Sequence, residues 1–310
     1  MGNKQLMGNN ATLTDGQHQI ASINDSSIYY SDDYGATWAI TNSGSRGWKQ
    51  LSINADGTIM LGAANSGCYI STDYGATWSV LPTLGTNYSE GIACSSDGQY
   101  ILSGKYNNSV FLSTNYGSTF NSITSLGTGS WANGVRVSLT GQYMIVHKND
   151  TNSFYFSNDY GVTWSTKTVS SLTRINRYDM SGDGKYILAA NRNANGYVYI
   201  SSDYGSTWSS VSAPSWYWQT VALNYDGVYQ AILTNNSYKI YLSSNSGSSF
   251  TQNTGQGLTG GDGIAMSASG QYITEVSTGN YINYSVDYGA TFSASNTTGN
   301  FTLVAIGKQI

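Results

Sequence analysis

SNDYGVTW, at residues 157–164, is one of seven versions of a single eight-residue segment. The others are SDDYGATW (31–38), STDYGATW (71–78), STNYGSTF (113–120), SSDYGSTW (201–208), SSNSGSSF (243–250) and SVDYGATF (285–292). Their glycines fall at Gly35, Gly75, Gly117, Gly161, Gly205, Gly247 and Gly289, 40 to 44 residues apart. Self-similarity at such a period marks a repeat architecture. A second marker stands 17 to 20 residues upstream of each acidic or amide box position. It is Asp-Gly at 15–16, 56–57, 97–98, 183–184 and 226–227, and Thr140-Gly141 and Ser269-Gly270 in the other two units. Asp-Gly between apolar β-type runs is a hairpin signal.

Each unit therefore reads strand A, tight turn, strand B, loop, strand C, box, strand D. The fourth shows it as VRVS, TG, QYMIV, SFYFS, the box, then TWST. No stretch carries helical periodicity over two turns. Four short strands per 40–45 residues, repeated radially, predict an all-β, seven-bladed β-propeller of four-stranded antiparallel blades. The expected blades are 15–41 with 301–310, then 47–80, 88–122, 131–167, 174–210, 216–252 and 261–294.

The box pattern S-x-D-x-G-x-T-W resembles the Asp-box, or BNR repeat. It is found in sialidases, sortilin-type receptor propellers, photosystem II assembly factors and some glucanases. The resemblance covers the whole chain and implies a propeller fold. It implies no one function, because that superfamily spans enzymes, receptors and assembly factors. The box positions Asp33, Asp73, Asn115, Asp159, Asp203, Asn245 and Asp287 read as structural. Each can accept backbone N–H bonds within its own turn. The glycine supplies a positive φ, and the Trp or Phe anchors the blade core.

Strand A locates the closing strand. The third and fifth residues before the turn are apolar in blades 2 to 7, from Leu51/Ile53 to Ile264/Met266. The N-terminal counterparts, Asn10 and Thr12, are polar, whereas Val304 and Ile306 keep the phase. A one-residue slip would turn every side chain to the other face. The C-terminal strand is thus expected to complete blade 1 as its inner strand, leaving residues 1–13 over.

Composition narrows the function. Charged residues make up 10% of the 310, with a net charge of −4, which excludes a broad basic surface and so a non-specific nucleic-acid binder. Two His and two Cys exclude a zinc cluster or a disulfide-stapled fold, and free thiols are expected at Cys68 and Cys94. No 18-residue apolar run predicts a membrane span. No phosphate loop, metal-ligand spacing or nucleophile elbow occurs, so neither cofactor nor metal is expected. Low Lys and Glu content gives an impression of an extracellular or virion-surface protein, with no signal peptide to fix the compartment.

The box turns and A–B turns belong to one rim, and the D–A and B–C loops to the other. Of the 17 acids, five sit in boxes and five in A–B turns. Asp25, Glu90, Asp150, Asp262 and Glu275 fall in or beside the opposite loops. The same loops carry Trp48, Tyr88, Tyr106, Trp131, Trp216, Tyr217 and Trp218. The three tryptophans at strand-A starts read as a repeat-encoded ring of core or funnel residues. Trp216 and Tyr217 do not recur and suit stacking on sugar rings. Strand A usually carries a small residue four positions before the turn. Blade 4 has Arg136 there and blade 5 has Asp179, with Arg177 and Arg174 further up the same blade. This group reads either as an inter-blade ion pair or as an anion site, since Arg binds carboxylate bidentately.

A sialidase would need three arginines, a Tyr–Glu nucleophile pair and a further acid. This chain lacks the F/Y-R-I-P segment of that family, and those propellers are usually six-bladed. Another glycosidase would need two facing carboxylates. The leading expectation is a monomeric, non-catalytic propeller that binds carbohydrate through the D–A/B–C face. The alternatives are a protein-interaction or assembly scaffold and a glycoside hydrolase, so the expected partner is a glycan or a protein.

Overall fold

A computed structural model describes residues 15–309, except 24, 86–87, 132–133, 150, 170–174, 192–195, 212, 214–216, 235–238 and 254–260. Seven four-stranded antiparallel sheets stand in a ring, each ordered A–B–C–D from the axis outward. The only helical pieces among the described residues are two single 3-10 turns, Pro82–Leu84 and Thr124–Leu126. In blade 4 the strands are Val135–Val137, Met144–His147, Ser153–Ser157 and Ser165–Thr168.

The C-terminal strand Phe301–Ile306 is the inner strand of blade 1. It pairs antiparallel with Gln19–Ile23, with Gln19 opposite Ile306 and Ala21 opposite Val304. The ring is therefore shut by hydrogen bonds between chain ends, as the apolar phase of Val304 and Ile306 predicts. Asp15 adds to the clasp by accepting the amides of Ala268, Ser269 and Gln309. Blade 7 contributes a second clasp. Its outer strand, Ser293–Gly299, is the longest in the ring and extends past the expected end at 294. The side chain of Asn296 accepts the Trp38 amide in blade 1, and the Asn296 amide donates to Ala36.

The core lies between blades, in seven apolar clusters. In one of them Ile145, Phe154 and Phe156 of blade 4 meet Tyr178, Met180 and Ile187 of blade 5. The box positions the strands that frame these clusters. In blade 5, Tyr204 and Gly205 have φ values of 58° and 75°, and the Ser206 amide donates to Asp203. Two successive positive φ values closed by that bond are the pattern of a type I′ turn, set within the longer loop between Ser201 and Ser209. Sequence reading assigned positive φ to the glycine alone. The preceding Tyr, or Ser246 in blade 6, shares it in all seven boxes.

The box side chains hold that turn. Ser201 donates to Asp203 at 2.9 Å and accepts the Gly205 amide at 2.9 Å. The Thr207 amide and hydroxyl donate to the two Asp203 oxygens, and Trp208 Nε1 caps the Gly205 carbonyl. For Asp203, desolvation pushes the carboxyl up, but the bonds from Thr207 and Ser201 outweigh it and hold the group below its usual range.

Candidate functional site: the loop rim and the channel mouth

The box rim is not limited to bonds within its own turns. The box Tyr of one blade packs on the aromatic residue that follows the A–B turn of the blade before. Ring centroids are 4.4 Å apart for Tyr272–Tyr34, 4.7 Å for Tyr229–Tyr288, 4.9 Å for Tyr143–Tyr204 and 5.1 Å for Tyr100–Tyr160. His18 takes the Tyr position at the blade 1–2 junction, 6.2 Å from Tyr74 and bonded through Nδ1 to Tyr30. Its role is packing. These rings join neighbouring blades, which commits one face of Tyr34, Tyr74, Tyr160, Tyr204 and Tyr288.

On the opposite rim the three strand-A tryptophans are core. Trp48, Trp131 and Trp218 are buried, and each Nε1 donates to a B–C loop carbonyl of the preceding blade, at Ser26, Asn108 and Gly196. His147, expected in a loop, ends strand B of blade 4. It is buried, with Nε2 bonded to the Thr151 carbonyl and its ring edge-on to Tyr178. Cys68 and Cys94 are buried free thiols.

Other rings of this rim reach solvent. Tyr217 is 41% exposed and Tyr106 51%. Tyr88 meets Tyr106 edge-to-face at 5.6 Å, and Lys49 lies 5.7 Å over the Tyr88 ring. Tyr197 and Tyr281 are also exposed here, in the B–C loop of blade 5 and at the start of strand C in blade 7. Sequence reading passed over both, although neither is a box or turn position. Trp216 and Arg174 lie outside the described residues.

Between these loops opens the central channel, lined by all seven inner strands and enclosing about 190 Å³. Arg136 and Asp179 meet within it. Arg136 Nε donates to Asp179 Oδ1 at 2.8 Å, forming an ion pair between blades 4 and 5. Asp179 Oδ2 accepts the Leu223 amide of blade 6, as Ser52 accepts the Cys94 amide one blade-step along in blade 3. Arg177 lines the channel one step nearer the loop rim. Gln50 and Lys308 also span the channel, donating to the carbonyls of Val135 and Leu223. Gln50 shares its strand phase with Arg177, and that register is the signal that could have revealed it.

The remaining carboxylates are scattered. Asp25 sits in a turn at φ 53°. Asp262 accepts the amide and hydroxyl of Thr278. Glu90, beside Lys49, is raised by burial and partly restored by that cation. Glu275 is buried in strand B of blade 7, where it accepts a bond from Asn283. Burial pushes it up to about 8, Asn283 opposes the shift and Asp262 adds to it. Asp150 lies outside the described residues. Among the described residues no three His, Cys, Asp or Glu side chains converge as metal ligands would. No helix of the described residues is long and apolar enough to cross a membrane.

The BNR/Asp-box repeat matches residues 69–80. That segment holds the second box, and the other six follow its pattern. No curated protein sequence matches the chain. Solved propellers resemble it in shape. A GH74 enzyme of Niastella koreensis is 16% identical, with a TM-score of 0.60, over 93% of this chain and 66% of that one. The GH74 xyloglucanase of Xanthomonas campestris is 15% identical, with a TM-score of 0.64, over 95% of this chain and 55% of that one. The β-propeller domain of Cps50 (Swd1) from Myceliophteria thermophila is 10% identical, with a TM-score of 0.62, over 84% and 89%. The chain spans between about half and two thirds of the two GH74 proteins. At these identities the likeness establishes the fold alone.

Proposed function

We propose that this propeller binds carbohydrate, without catalysis, through the D–A/B–C loop face. The observation that carries the reading is the set of solvent-exposed rings outside the repeat, Tyr88, Tyr106, Tyr197, Tyr217 and Tyr281, which belong to the loop rim of blades 3, 5, 6 and 7. Aromatic faces take the apolar face of a sugar ring, and short polar neighbours take its hydroxyls. Trp216, beside Tyr217 in sequence, belongs to the same proposed surface. Arg174, Arg177, Arg136 and Asp179 are its proposed polar contacts. Two neighbours in shape are GH74 enzymes, one a xyloglucanase, which supports a sugar as the first ligand class to test.

Catalysis is not proposed because no two carboxylates of this face are brought together as a facing pair among the described residues. Asp179 is held by Arg136 and Leu223, Asp262 by Thr278, and Glu275 is buried. A glycan array on the intact chain tests the reading. Retention of one glycan class, with no reducing sugar released on incubation, is the expected result. Release of reducing sugar would replace the reading with a hydrolase. A blank array would leave the protein-scaffold alternative.

A further inference from the structure

The inner strands of blades 1, 2, 3, 5 and 6 each carry, at their loop-rim end, one residue more than the ladder uses. Pairing to strand B skips from Trp48 to Gln50, Ser89 to Gly91, Ile175 to Arg177, Trp218 to Thr220 and Phe301 to Leu303. The residues left out are Lys49, Glu90, Asn176, Gln219 and Thr302, all of them polar. A β-bulge re-aims a side chain, and bulges are over-represented beside functional sites. Two of these residues, at equivalent places in adjacent blades, carry opposite charges: Lys49 and Glu90.

Lys49 and Glu90 attract each other without meeting. Burial raises the Glu90 carboxyl, and the Lys49 charge opposes the shift. Among the described residues the two form no ion pair, and neither charged group has a hydrogen-bond partner. Glu90 Oε2 is buried with no donor, which is costly for a carboxylate. Tyr88 ties the two charges to an exposed ring. Lys49 Nζ lies 5.7 Å over the Tyr88 face, and Tyr106 stands edge-on to it at 5.6 Å. Burial raises the Tyr88 hydroxyl, and Glu90 and Tyr106 add to that shift. The contact between Lys49 and the Tyr88 ring takes no hydrogen-bond acceptor, so the ammonium keeps its N–H donors. Tyr106, 51% exposed, offers the open aromatic face of the group.

We infer that Lys49, Glu90, Tyr88 and Tyr106 form a subsite for an uncharged sugar. The sugar ring lies on Tyr106, one hydroxyl donates to Glu90, and the neighbouring hydroxyl accepts from Lys49. Tyr88 holds the cation and the platform in place. Adjacent hydroxyls suit the pair because each is both donor and acceptor. A carboxylate on the sugar would meet Lys49 but be repelled by Glu90, and an ammonium would meet the reverse. The inference rests on the carbohydrate reading and narrows it to neutral glycans at the junction of blades 2 and 3.

Calorimetric titration of the intact chain tests it. The probes are D-glucose, D-galactose and D-mannose, each beside the uronic acid and the 2-amino sugar of the same configuration. The tightest neutral sugar is expected to bind about tenfold more strongly than either charged counterpart. Glu90→Gln should weaken the neutral sugar and turn the preference toward the uronic acid, because Lys49 is then unopposed. Lys49→Met should turn it toward the amino sugar. Tyr106→Ala should weaken all three forms alike. A merely structural role for either charge would lower the melting temperature without reversing a preference. The selectivity of the intact chain needs no variant. Equal binding of the three forms, or a charged form bound tightest, would overturn the subsite and leave the carbohydrate reading standing. Binding by none of the probes would overturn the subsite, and a glycan array blank as well would overturn the carbohydrate reading with it.

Discussion

The Gly307 amide donates to the His18 carbonyl at 2.8 Å, although the two residues lie at opposite ends of the chain. Gly16 then donates back to the Gly307 carbonyl at 3.1 Å. In blade 3 the same two bonds join Ser95 to Tyr100 and Gly98 to Ser95, both at 2.9 Å, within one continuous turn. Blade 1 thus rebuilds the A–B turn of the repeat from two chain ends. The backbone of Asn54 and Ala55 lies directly against Gly307, where a Cβ would meet their carbonyl oxygens at 2.6 Å and 3.1 Å.

Deleting residues 301–310 should therefore open the ring. The inner edge of blade 1, Gln19–Ile23, would lose its partner, and an unpaired apolar edge invites association. Light scattering should report oligomers and a lowered melting temperature. A monomer that melts as the full chain does would refute the closure.

The box glycine can be tested twice. Gly161 has φ 84°, and a Cβ there would lie 2.5 Å from Leu112 Cδ2, so Gly161→Val meets both strain and a clash. A cost of about 1–3 kcal/mol is expected from chemical denaturation. A Cβ on Gly205, at φ 75°, would make only ordinary contacts, with Ile187 at 3.4 Å and Lys167 at 3.9 Å. Gly205→Ala isolates the backbone contribution, for which roughly 1–2 kcal/mol is expected. An unchanged unfolding midpoint in Gly205→Ala would remove the left-handed assignment.

The stacked rings of the box rim should couple adjacent blades. Tyr143 and Tyr204 lie 4.9 Å apart with planes 28° from parallel. A double-mutant cycle to Leu at both positions is expected to give a coupling of about 0.5–1.5 kcal/mol. Additive single effects would show that the rings pack independently.

Glu275 predicts a pH dependence. Its folded pKa, near 8, stands above that of an ordinary carboxyl, so the folded state keeps a proton that the unfolded chain releases. Its contribution is fully present below about pH 4.5, declines as pH rises and is lost once pH passes about 8. Each unit of difference corresponds to about 1.4 kcal/mol. Glu275→Gln, which keeps a hydrogen-bonding partner for Asn283, should raise the melting temperature at pH 8–9 and flatten the profile between pH 5 and 8. A variant profile parallel to that of the parent would show that Glu275 ionises freely in the fold.

Legibility in the sequence followed repetition. The boxes, the A–B turns and the apolar phase of Val304 and Ile306 recur, so the blades and their closure could be read directly. The ring contacts of the box rim also recur, as Tyr100, Tyr143, Tyr229 and Tyr272 after the turns, set against Tyr160, Tyr204, Tyr288 and Tyr34 of the boxes. They escaped notice because each pair joins residues from different units, which a unit-by-unit reading does not align. The loop rim was the least legible. Beyond the three strand-A tryptophans its aromatic residues are unrepeated, and whether a ring packs or projects depends on the neighbouring blade. Trp48, Trp131 and Trp218 turn inward to B–C carbonyls, whereas Tyr106 and Tyr217 do not. Arg136 and Asp179 were legible as a departure from the small residues of strand A, but their pairing needed the distance between blades.

The central claim is that ligand meets the loop rim and channel mouth, not the rim of box turns. A crystal structure of the chain soaked with the glycan selected by the array locates it directly. The account predicts a sugar ring against Tyr217, or against Tyr88 and Tyr106. Tyr217→Ala should then weaken binding by about 1–3 kcal/mol with little change in stability, as expected for an exposed platform. Sugar density found only among the box turns, beside Tyr74, Tyr160 or Tyr288, would contradict it.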